Sequence, residues 1–181
     1  MVNGREICRA TLRHDVYVFG SPSSTMIRSD RVRARNPFYD ERYFHADAKV
    51  CFELLRDSDF GFVHQVLTYS RVHDESQTAK VAHRYGTMVA EPFAMLLEHG
   101  PFYCEPDEYQ ALLRTQLRQY YRFLIKRLFT CRKDERKEFW TYHLEQLRRA
   151  GYPPSAFKLA DALLWSIANL FLRSRRAVRG A

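Results

Sequence analysis

Two kinds of apolar spacing divide the chain. In the first third, apolar residues come in short runs at 16–19, 24–28 and 60–69, rich in β-branched and aromatic side chains and bounded by Gly, Pro or Asp, which predicts strands. Gly20 and Pro22 halt the first run before Met26 and Ile27 resume it, so a Gly-Ser-Pro-Ser-Ser bend is predicted between two strands. Between the second and third runs lies "HADAKVCFELLRD". Its Val50, Cys51, Leu54 and Leu55 recur at helical spacing, and Asp47 falls at or near the helix N-terminus, where a carboxylate is favoured.

After about Ser76 the spacing becomes helical. In "PDEYQALLRTQLRQYYRFLIKRL", Leu113, Leu117, Tyr120 or Tyr121, Leu124 and Leu128 form one apolar stripe, opened by Pro106 and Asp107. A second helix is predicted over 134–149, stopped by Gly151 and the Pro153-Pro154 pair, and a last one from an N-capping Ser155 to about Arg173. Three short strands with one helix cannot cover a sheet on both faces. The pattern therefore predicts an α/β fragment over 1–78, the end of a sheet begun elsewhere, followed by a mainly α-helical region over 79–181.

Composition makes the chain globular: 46% of its 181 residues are hydrophobic, 14% are aromatic and only seven are Gly. Cys8, Cys51, Cys104 and Cys131 are scattered without a C-x-x-C pair, which predicts reduced thiols and a cytoplasmic location. The longest apolar stretch, around 159–172, is broken by Asp161, Ser166 and Asn169, so no bilayer-spanning helix is predicted.

The net charge of +8 is partly patterned, because Arg114, Arg118, Arg122 and Lys126 recur every fourth residue. Like charges at that spacing cost about 0.2–0.5 kcal/mol per pair, and Glu108 is the nearby acid. Solvent ions satisfy such a stripe most simply. An anionic membrane surface comes second, aided by the tail "FLRSRRAVRG" after an apolar helix. Nucleic acid comes third, since no recognition motif is present and Tyr120 and Tyr121 fit the packed stripe.

Four segments in order, "FGSPSSTMIRSDRV", "FYDERYFHADAKVCFELL", "DFGFVHQVLTYSRVHDESQT" and "LEHGPFYCEPDEY", resemble the second half of family 2 glycosyltransferases. The resemblance implies an A-type glycosyltransferase fold. It implies inverting transfer of a sugar from a nucleotide-sugar donor to an acceptor hydroxyl, with a divalent metal, Mn or Mg. Asp47 matches the position of the family's general base, although His45 departs from the usual acid two places earlier. Gly20, Ser23 and Ser24 match the loop beside donor and acceptor. Arg71 and His73 in "RVHDES" match the diphosphate-binding pattern, with His73 a metal ligand as well. Asp57-Ser58-Asp59 reads as a turn, not as the D-x-D of the nucleotide-binding half.

That half is not encoded in these residues, so a glycosyltransferase piece is expected to be inactive alone and to need a missing N-terminal half as partner. Each site residue also has a plain reading: Asp47 as a first-turn acid, Gly20 to Ser24 as a turn, Arg71 and His73 as surface side chains. The rival function is a basic helical interaction module without catalysis, peripheral at the inner face of a membrane or on nucleic acid.

Overall fold

The structure, a computed structural model, describes residues 1–41, 43–69, 81 and 83–179. In chain order its helices are α1 (Gly4–Leu12), α2 (Ser29–Arg33), α3 (Ala46–Leu54), α4 (His83–Tyr85), α5 (Thr87–Tyr103), α6 (Pro106–Thr130), α7 (Arg136–Arg149) and α8 (Ala156–Arg179).

The predicted apolar stripe makes α6 the centre of the core. It buries Leu113, Leu117, Tyr120, Tyr121, Leu124 and Ile125, while Leu128, expected in the stripe, is exposed, and Pro106 with the acids Asp107 and Glu108 opens the helix. α5 and α8 both lie against α6, and α1 lies against α5. Rings lock these layers together. Phe93 of α5 meets Tyr120 of α6 edge-on at 5.6 Å, and Phe139 and His143 of α7 pack on Phe123 of α6. α8 begins where expected, with Ser155 Oγ accepting the Lys158 N–H at 3.4 Å. All four cysteines are free and buried.

The expected α/β fragment is not what forms. Among the described residues there is no strand; the sole β-type pairing there is an isolated antiparallel bridge between Val2 and Phe60, bonded at 2.8 and 2.9 Å. Residues 16–19 carry β-type composition but find no neighbouring strand, and their contribution is a side chain instead. Phe19 is buried edge-on to Phe52 at 5.1 Å, and Phe52 stacks on His99 of α5 at 5.0 Å. Pro22–Ser24 is a 3-10 turn at the expected Gly-Ser-Pro-Ser-Ser bend, but no strand follows it. An A-type glycosyltransferase half needs a sheet, so this helical architecture overturns the expected fold class. Hydrophobic burial among helices has outweighed the local β preference, which depends on having a partner strand.

α1 closes the opposite side of the core. Asn3 caps it by accepting the Arg5 N–H at 2.9 Å, and Cys8 and Leu12 go inward. Polar ties hold α1 and the residues after it to α6, among them Arg9 with Glu108 at 2.8 Å and the Gln116 side-chain amide with His14 Nε2 at 2.8 Å. Core and ties thus join residues from both ends of the chain.

Candidate functional site

Asp47 sits in the first turn of α3, half-buried, with Oδ1 accepting the Ala48 backbone N–H at 2.9 Å. Its charge reaches Tyr17, Tyr39 and His45: burial first, then Asp47, raises both tyrosines, while burial lowers His45 against the pull of Asp47. The serine bend closes on itself. Ser23 and Ser24 are exposed and bonded within the bend, Ser23 Oγ to Ser21 Oγ at 2.9 Å and Ser24 Oγ to the Ser21 carbonyl at 2.8 Å. A Cβ on Gly20 would meet Ser24 Oγ at 2.2 Å, so a side chain there would turn that hydroxyl aside. Arg71 and His73 lie outside the described residues. The turn at Asp57 and Ser58 follows α3, with Ser58 Oγ donating to the Leu54 carbonyl at 2.7 Å.

Two cavities flank α5. The larger, about 730 Å³, is walled by Phe44, Phe93, Tyr120, Tyr142, Glu91 and Glu98, among others. The smaller, about 100 Å³, lies between Phe19, Phe52, His14, His45, Glu91 and Gln116. Glu91 lines both. Burial pushes its pKa up, although a hydrogen bond with the Phe44 backbone counters this, and Oε2 has no partner among the described residues. At the rim of the larger cavity Glu98 accepts from Tyr43 at 3.1 Å and pairs with the buried Lys49. Among the described residues no three His, Cys, Asp or Glu side chains are grouped to hold a metal ion.

No protein-family model, curated protein or solved structure matches this chain. The resemblance to family 2 glycosyltransferases is therefore corrected: the comparisons do not support it, and the helical architecture lacks the sheet it requires.

Basic and apolar side chains adjoin on the face shared by α6 and α8. Arg114, Arg118 and Lys126 are exposed along α6 and make no ion pair among the described residues. Glu108, the acid nearest the stripe in sequence, is taken by Arg9 and Arg13 of α1 and its flank. Arg122 turns toward α8, its guanidinium 3.6 Å from the centroid of the Trp165 ring.

α8 is apolar on two sides. Leu159, Ala162 and Leu163 join the core. Helix geometry places Phe157 and Leu164 on the opposite side, where both are exposed, with Trp165 at the border toward Arg122 and Asp161 as the acid within that outer face. Sequence reading caught the basic stripe but missed this outer face. The available signal was that apolar residues of 156–167 exceed what one stripe of a helix needs. Among the described residues no helix is long and apolar enough to cross a membrane.

Proposed function

We propose that the chain is a basic helical docking module, without catalysis, that settles on an anionic membrane surface through the joint face of α6 and α8. The observation that carries the reading is Arg122 stacked on Trp165, because it puts the basic stripe of one helix beside the apolar outer face of the other. Such a face meets both demands of a lipid interface. Phe157, Leu164 and Trp165 supply apolar area for the headgroup boundary, and an indole is well suited to a zone that is wet on one side. Arg114, Arg118 and Lys126 supply attraction to anionic headgroups of about 1 kcal/mol each. The sequence of α8 continues the basic character through Arg173, Arg175, Arg176 and Arg179.

The test is co-sedimentation with vesicles of phosphatidylglycerol in phosphatidylcholine. The chain is expected to pellet with them and to stay in solution with phosphatidylcholine alone. Arg118→Glu with Lys126→Glu should reduce the bound fraction at least tenfold, and Leu164→Asp should do so without touching the basic stripe. Undiminished binding by both variants rejects the reading. So does an affinity for an oligonucleotide that persists where vesicle binding is absent.

A further inference from the structure

We propose that the larger cavity beside α5 binds an organic cation, a primary ammonium group on an apolar body, with Glu91 as its counter-ion. Helical spacing builds the wall that α5 contributes: Thr87, Glu91, Ala94 and Glu98 recur at alternating steps of four and three residues and so share one face. Ala94, with Ala90 beside it, keeps that face short. The space left is about 730 Å³, within the roughly 300–1,000 Å³ of small-molecule sites.

Two oxygens on this wall lack a partner. Glu91 Oε2 and Thr87 Oγ1, one helical turn apart, are both buried without a hydrogen bond among the described residues, and Thr87 is only 3% exposed. An unpaired polar atom kept from water is costly, and burial raises the Glu91 pKa against the hydrogen bond with the Phe44 backbone. An ammonium ligand relieves both penalties, since its N–H groups donate to the two oxygens and its charge restores the carboxylate. Rings complete the wall. Phe93 with Tyr120, and Tyr85 with Tyr142, stand in pairs whose centroids are 5.6 Å apart. The Tyr120 hydroxyl is bonded to His143 and the Tyr85 hydroxyl to Glu138, so these two residues offer the cavity ring surface, which attracts cations. Burial raises the pKa of Tyr120 and Tyr142 and the Glu91 charge raises both further, so the carboxyl lies within electrostatic reach of the two rings. Other charges along the wall are matched: Glu98 by Lys49 and the Tyr43 hydroxyl, Arg149 by Glu145. A chain of net charge +8 repels cations overall, so affinity for one has to arise locally.

Isothermal titration with phenethylamine, a cation at pH 7.5, against phenethyl alcohol, its uncharged counterpart, tests this. The amine is expected to saturate one site with a Kd below about 1 mM and to bind at least tenfold more tightly than the alcohol. Glu91→Gln, which keeps the shape of the side chain, should weaken the amine at least tenfold, whereas Glu6→Gln removes the same charge from α1 and should change nothing. Ala94→Leu, which fills the cavity, should abolish binding. Intermolecular NOEs should run from the amine to the rings of Tyr120 and Tyr142. No saturable binding up to about 10 mM, equal affinity for amine and alcohol, undiminished binding by Glu91→Gln or Ala94→Leu, an equal loss in Glu6→Gln, or NOEs confined to other residues would each overturn the proposal. If the cavity variants do not fold, the amine-to-alcohol ratio and the NOEs in the unaltered chain still decide.

Discussion

The hydroxyl of Tyr120 and Nδ1 of His143 meet at 2.7 Å, joining α6 to α7 in a layer where His143 is wholly buried. Burial pushes the His143 pKa down from 6.5 to about 4, and burial does the same to His99. The unfolded chain takes up a proton near pH 6.5 while the folded chain resists until about 4, so folding stability is complete above 6.5 and declines as pH falls through that window. His143 accounts for on the order of 3 kcal/mol of the decline. Urea unfolding at pH 7.5 and 4.5 measures it. His143→Gln should be less stable at pH 7.5 yet lose less on acidification, and an equal loss in both proteins would contradict the role of His143.

Two glycines separate backbone strain from steric strain. Gly86 (φ +62°) precedes α5, and a Cβ there would come within 2.2 Å of the Phe123 ring; Gly151 (φ +78°) after α7 has nothing within 4 Å. Gly151→Ala should cost about 1 kcal/mol, from the left-handed backbone alone. Gly86→Ala should cost about 3 kcal/mol, because Phe123 must also move out of its packing. Thermal melts of the two variants give the comparison, and equal losses would mean that the Phe123 ring yields freely.

Lys49 is a buried cation between two acids of different helices, 3.1 Å from Glu53 and paired with Glu98, while Arg35 also holds Glu53. Burial disfavours the charge on both Lys49 and Glu53, but their hydrogen bonds and mutual attraction outweigh it, raising the lysine and lowering the acid. Lys49→Met should destabilise the fold by about 2–3 kcal/mol, since Glu53 and Glu98 remain beside an apolar stem. Adding Glu98→Gln to that variant should recover part of the loss. A double variant less stable than the single one would show that the acids are adequately solvated.

Trp165 reports on the joint face of α6 and α8. On addition of phosphatidylglycerol vesicles its emission should shift to the blue, and about 0.5 M salt should reverse most of the shift by screening the basic stripe. Comparison with Trp165→Phe removes the contribution of Trp140. A shift indifferent to salt would leave the basic stripe without a part in binding.

The long helices were legible because each advertises itself locally. α6 has Pro106, two first-turn acids and an unbroken stripe; α7 and α8 are separated by Gly151 and the Pro153-Pro154 pair, with Ser155 starting the latter. α3 was legible as well, though its end falls at Leu54. α5 received no bounds of its own in the sequence reading; Pro92 and Pro101 interrupt its local helix signal, and its packing on α1 and α6 holds the helix across them. α1 was overlooked although Asn3 is a good cap, since nine residues give little periodicity to read. The strands failed for another reason. The β preference of residues 16–19 and 60–69 is a statement about pairing, and nothing within the described chain completes the ladder. Of the site, the basic residues of α6 could be read directly; their adjacency to Trp165 depends on how two helices pack and has no local signature.

Four sulfurs set into the walls of this fold give it a clock. Burial drives the Cys8 thiol up to about 12 and the Cys51 thiol up to about 11, and Cys104 and Cys131 are buried as well, so an alkylating reagent in the surrounding water meets all four chiefly when the wall beside each one opens. The order in which the four are labelled would then trace the sequence in which the protein comes apart.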